Sequence, residues 1–187
     1  MLGLSRSPNP VLIYSDSEGV NSKSSLNLFW QEFHNFELSE NERTIARLTQ
    51  GAVRKNYTIS DSRQEIIKSE LGIEEKKIVL IVLQVEDDSN IVAGSKYQNM
   101  QEYVNDCLHY KKDDVAFIIK KHPAEFQCKI EPGEIPVITT EYPTEELVGL
   151  ADGIFTINSS VGFEALIAGK RVFTFGRAPY AIDEFVT

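Results

Sequence analysis

Hydrophobic and polar positions alternate most legibly between Ile154 and Gly176, in the run IFTINSSVGFEALIAGKRVFTFG. Ile154 to Ile157 is an apolar β-type run that breaks at Asn158, Ser159 and Ser160. Val161, Ala165, Leu166 and Ala168 then share one face of a helix that Gly169 stops, and Val172 to Phe175 reads as a second strand. Strand, polar turn, helix and strand make a βαβ unit, which implies a parallel sheet with a right-handed crossover. The same rhythm extends upstream. Ile66, Ile67 and Leu71 line a helix ending at Gly72, and Ile78 to Leu83 has the continuous apolar character of a buried parallel strand. A helix from about Tyr97 to His109, strands at Val115–Ile119 and Val137–Thr139, and a helix at Pro143–Leu150 complete the series. The predicted fold class is α/β, a doubly wound, Rossmann-like parallel sheet over residues 61–187.

Residues 1–60 lack that rhythm and read as a helical or linker segment. Residues 1–10 are Pro- and Ser-rich and are expected to be irregular, and Val11–Tyr14 is a short strand candidate. Leu26–Phe36 carries Trp30 and Phe33 at helical spacing. Ser39 with Glu42 three residues on is a capping box, opening a helix to about Lys55 with Ile45, Leu48 and Val53 on its apolar face.

Composition narrows the partners more than the fold. The 187 residues suit one domain with a partial second element. A net charge of −9 argues against a nucleic-acid-binding surface, so an anionic ligand needs a local pocket of donors. Cys107 and Cys128 have no metal-type spacing and are expected to be reduced, as in the cytoplasm. The opening run lacks the apolar core of a signal peptide, and no stretch approaches membrane-spanning length.

In a doubly wound sheet, ligands bind outside the carboxyl ends of the strands. Three polar clusters fall there: QVEDDS (Gln84 to Ser89), KKHP (Lys120 to Pro123) and NSS (Asn158 to Ser160). Each alone fits a helix cap or a turn; together they point to a site. Lys121 and His122 offer cationic donors to a phosphate, with Pro123 shaping the turn. Asn158, Ser159 and Ser160 fall at a helix N-terminus, where free N–H groups and the helix dipole favour an anion. Gly162 removes a Cβ that would hold a ligand away, and Glu164 offers a carboxylate to a ribose diol. Asp87 or Asp88 suits a nucleophile or base. No metal or cofactor is expected.

The runs QVEDDSNI, KKHP and TINSSVGFEALIAGKRVFTFG, followed by APYA, together resemble the bacterial capsular polysaccharide synthesis and export proteins, specifically the retaining β-Kdo glycosyltransferases. The resemblance runs from about Leu38 to the C-terminus; QVEDDS with HP is its more specific part, while other nucleotide-sugar enzymes share the GFEAL core more loosely. It implies a GT-B fold, with the nucleotide-sugar donor held mainly by the C-terminal of two Rossmann-like halves. It further implies CMP-Kdo as donor substrate, with His122 and the Ser159/Ser160 pair at the CMP; Gln84 is a further substrate-binding candidate. An acid of QVEDDS is the implied nucleophile of a double displacement, Asp88 ahead of Asp87 because it directly precedes the serine. The implied partners are a glycan or glycolipid acceptor, a chain supplying the acceptor half, and the inner membrane as a peripheral surface. Sialyltransferase-like or 2-epimerase-like enzymes, and a non-catalytic nucleotide-sugar-binding module, are the alternatives.

Overall fold

The computed structural model describes residues 3–6, 13–16, 24, 37–51, 57–124, 130–131, 137–138, 142–182 and 186. The helix expected at Leu26–Phe36, and Cys128, lie outside them. Near the N-terminus, β1 (Gly3–Arg6) pairs antiparallel with β2 (Ile13–Asp16), Gly3 opposite Asp16 and Arg6 opposite Ile13. Within the stretch expected to be irregular, Gly3–Arg6 is thus a strand, and the second strand starts two residues later than Val11. Four-residue strands carry too little alternation to be read alone; cross-strand pairing defines them.

Helix α1 (Glu40–Gly51) opens on the expected capping box. The Ser39 N–H donates to Glu42 Oε2 at 2.8 Å, and the Glu42 N–H returns to Ser39 Oγ at 3.3 Å. Ile45, expected on the apolar face, is exposed. Helix α2 (Asp61–Leu71) is capped by the Ser60 side chain and closed by Gly72 at φ 65°, a left-handed conformation glycine adopts without strain. Of its two adjacent isoleucines only Ile67 is buried; Ile66 faces solvent.

Next come β3 (Lys77–Val82), α3 (Ser89–Gly94), α4 (Met100–Leu108), β4 (Val115–Lys120), β5 (Val137–Ile138) and α5 (Thr144–Leu150), then β6 (Gly153–Thr156), α6 (Ser160–Ile167) and β7 (Arg171–Thr174). One helix, α4, stands where a helix was expected over Tyr97–His109, and α3 precedes it where none was expected. Asn99 caps α4 by accepting from the Glu102 N–H at 3.0 Å, which sets its start at Met100. Helix α3 is too short to show a 3.6-residue period, so the pattern hides it.

The five strands form one parallel sheet in the order β5-β4-β3-β6-β7. Numbered from β3, this is the 3-2-1-4-5 order of the doubly wound fold, whose direction of winding reverses between β3 and β6. Strand β3 is the centre, and its side chains alternate between two cores. Ile78, Leu80 and Val82 join Ile67, Leu147, Val148, Ile154 and Ala165 on one face. Ile81 and Leu83 join Ile91, Met100, Tyr103, Val104, Phe117 and Ile119 on the other. Tyr57 and Ile59, ahead of the boundary drawn at residue 61, pack against the first core. Among the described residues, no helix is long and apolar enough to cross a membrane.

Candidate functional site

The register brings the three polar clusters to one edge of the sheet. Val82 is level with Lys120 on one side and with Thr156 on the other, so β3, β4 and β6 end together. The chain beyond them therefore rims the crevice at the point where the winding reverses, the position at which such folds take ligands.

Two of the predicted binding residues hold each other. The Gln84 Nε2 donates to Asn158 Oδ1 at 2.9 Å, and the Asn158 backbone N–H donates to Gln84 Oε1 at 3.1 Å. The Asn158 Nδ2 reaches the Asn90 carbonyl of α3 at 2.8 Å. Gln84 is buried, and this pair welds the end of β3 to the end of β6.

The NSS turn runs directly into α6. Ser159 Oγ caps it by accepting from the Val161 N–H at 3.2 Å, while the Ser159 N–H donates to the Thr156 hydroxyl at 3.1 Å. Ser160, the first residue of the helix, is exposed. Its amide therefore begins the set of N-terminal N–H groups without a partner within the helix. Gly162 has a different task from the one expected. A Cβ there would lie 2.5 Å from the Tyr180 hydroxyl and 2.8 Å from Thr156 Cγ2, so the vacant volume belongs to Tyr180 and no ligand approaches through it. Tyr180, the tyrosine of APYA, is buried and donates to the Ser159 carbonyl; burial pushes its phenol well above the usual range. Glu164, one turn further on, is half-buried and accepts a hydrogen bond from the Tyr57 hydroxyl.

The acids of QVEDDS divide by partner. Asp88 is the N-cap of α3, its Oδ1 accepting from the Asn90 N–H at 2.7 Å. Glu86 accepts the Met100 N–H of α4 at 2.7 Å, and Asp87 is exposed. At the end of β4, Lys120 turns inward. It is buried, its Nζ donates to the Tyr142 carbonyl at 3.0 Å, and burial lowers its pKa. Lys121 is half-buried, while His122 and Pro123 are exposed. The His122 Nδ1 accepts the Ala124 N–H at 3.1 Å. With Nδ1 so engaged the neutral ring carries its proton on Nε2, directed away from that turn and ready to donate.

Pattern reading did not single out Tyr57, Thr156 or Tyr180. Each is a partly or fully buried hydroxyl needing a partner, and the sequence does not reveal which of the site's groups supplies it.

A parallel sheet whose winding reverses between β3 and β6, with helices packed on its strands, defines a doubly wound, Rossmann-like α/β protein. The chain belongs to the capsule polysaccharide biosynthesis protein family, which it matches over residues 27–185. It is 30% identical over 125 residues to the lipopolysaccharide-processing protein LpsZ of Rhizobium meliloti, covering 63% of this chain and 28% of that protein. It is 29% identical over 124 residues to the capsule polysaccharide export protein KpsS of Escherichia coli, covering 58% of this chain and 32% of that one. Among solved structures it resembles the β-Kdo 2,7 transferase of Thermosulfurimonas dismutans KpsC, with a TM-score of 0.64 and 22% identity over 95% of this chain and 58% of that chain. The β-Kdo 2,4 transferase of the same protein gives 0.65 and 20%, over 96% and 62%. The chain thus spans about a third or less of those curated relatives, and these structures share its fold.

Proposed function

We propose that this chain is the donor-binding part of a retaining glycosyltransferase of capsule or surface polysaccharide biosynthesis, in the manner of a GT-B enzyme, and that its donor is CMP-Kdo. The observation that carries the reading is the level ending of β3, β4 and β6, which sets the three clusters around the crevice where the winding reverses. The similarity in fold to two β-Kdo transferases supports the choice of sugar. The Ser160 amide, the Ser159 cap and His122 Nε2 receive the phosphate, with Lys121 adding charge. Glu164 accepts from the ribose hydroxyls. Asp88 is the nucleophile: its carboxylate bonds to the anomeric carbon as the bond to CMP breaks. An acceptor hydroxyl then displaces the carboxylate, its proton passing to the freed carboxylate and on to water, and the starting configuration is restored. The acceptor is a glycan or glycolipid at the inner face of the membrane, bound by a second half on the same or a partner chain.

Calorimetric titration with CMP, UDP and GDP, with and without magnesium, tests this. CMP is expected to bind in preference to the other two and without the metal. Equal affinity for all three, or binding only with magnesium, removes the support for a Kdo donor. One observation favours a second reading, a nucleotide-sugar-binding module without chemistry. Asp88 and Glu86 are both engaged in helix capping, which accounts for two of the motif's acids without catalysis.

A further inference from the structure

Tyr57 lies outside every motif that suggested the site, yet it makes direct contact with the carboxylate assigned to the ribose. It precedes α2 by four residues, and its hydroxyl donates to Oε2 of Glu164, 107 residues later in the chain. The segment carrying it is firmly seated. A Cβ on Gly149 of α5 would lie 2.5 Å from the Tyr57 carbonyl oxygen and 3.1 Å from Ile59 Cγ2, so only a residue without a side chain lets the backbone approach α5 this closely. The Tyr57 and Ile59 side chains also pack on the core that holds Leu147, Val148 and Ala165. Tyr57 is therefore fixed by backbone contact and packing, independently of its hydrogen bond.

A glutamate on a helix surface has three side-chain torsions, and ordering them opposes ligand binding. A fixed phenol on one oxygen restrains the carboxylate before any ligand arrives. An ionised carboxylate has about four acceptor positions, so the bond from tyrosine takes one of them and helps to set its plane. Building on the donor-site reading above, we infer that Tyr57 is a positioning residue that orients Glu164 toward the 2′- and 3′-hydroxyls of the donor's ribose. The stretch ahead of α2 thereby becomes part of the nucleotide site.

The test is calorimetry on the full chain with two probes, CMP and 2′,3′-dideoxy-CMP, which differ only in the hydroxyls concerned. Tyr57→Phe keeps the ring and its packing and removes the donor. It is expected to weaken CMP about three- to ten-fold, part of the worth of a hydrogen bond to a charged group, and to leave the dideoxy nucleotide unchanged. Glu164→Gln is expected to show the same selectivity, with a larger loss. An equal loss for both probes in Tyr57→Phe overturns the inference, because the tyrosine would then act on the fold as a whole. No loss for either probe also overturns it. If only Glu164→Gln discriminates the probes, the ribose assignment survives and the role of Tyr57 falls. If the wild-type chain binds neither probe, the donor site itself falls, and Tyr57 with it.

Discussion

At the scale of single residues, the site is shaped as much by what is missing as by what is present. Gly162 leaves the volume that the Tyr180 hydroxyl and Thr156 Cγ2 fill, and Tyr180 donates to the carbonyl of the residue capping α6. Gly162→Ala forces a contact of 2.5 Å against that hydroxyl. The expected cost is about 1–3 kcal/mol, the usual range for overpacking a filled core. In a Tyr180→Phe background the nearest obstacle is gone, so the same alanine is expected to cost less. Urea denaturation of the wild type, both single variants and the double variant measures that coupling. Strict additivity would mean that the two side chains do not share the space.

At the scale of elements, the short helix α3 is capped by the acid proposed above as the nucleophile. Asp88 is its N-cap, and asparagine caps a helix about as well as aspartate does. Asp88→Asn therefore removes the ionised carboxylate while retaining the acceptor that α3 requires. In a full-length context with both of the proposed halves present, this variant is expected to lose transfer while keeping its melting temperature and CMP affinity. Mass spectrometry of wild-type enzyme held with donor and no acceptor is expected to find the sugar on the peptide containing Asp88. Full activity of Asp88→Asn would remove this carboxylate from the mechanism.

Much of this element layout was legible in the sequence. The buried strands announced themselves as continuous apolar runs, and Ser39 with Glu42 marked the start of α1, as the hydrogen bonds show. Long-range pairing was not legible. That Gln84 and Asn158 would hold each other, that Lys120 would turn inward, and that Gly162 would make room for a tyrosine 18 residues later all depend on which loops the sheet order brings together. Periodicity describes neighbours along the chain, whereas these contacts are set by neighbours across the sheet.

For the molecule as a whole, the Gln84–Asn158 pair joins the β3-β4-β5 side of the sheet to the β6-β7 side. Gln84→Leu leaves the Asn158 N–H and Oδ1 without those bonds at a largely buried junction. It is expected to cost about 1–3 kcal/mol, seen as a lower denaturant midpoint with an unchanged slope. A changed slope would mean that the two sides had begun to unfold separately.

The central position of β3 also shapes how the chain is made. Val79 pairs with Gly153, 74 residues later, so one edge of β3 stays open until β6 has been synthesised. At 5–20 residues per second, that interval is roughly 4 to 15 seconds. Throughout it, the nascent chain carries the run Ile78 to Val82 with unpaired backbone groups along one side, a template for pairing with another chain. Closely spaced ribosomes on one message are then a condition that brings such open edges together.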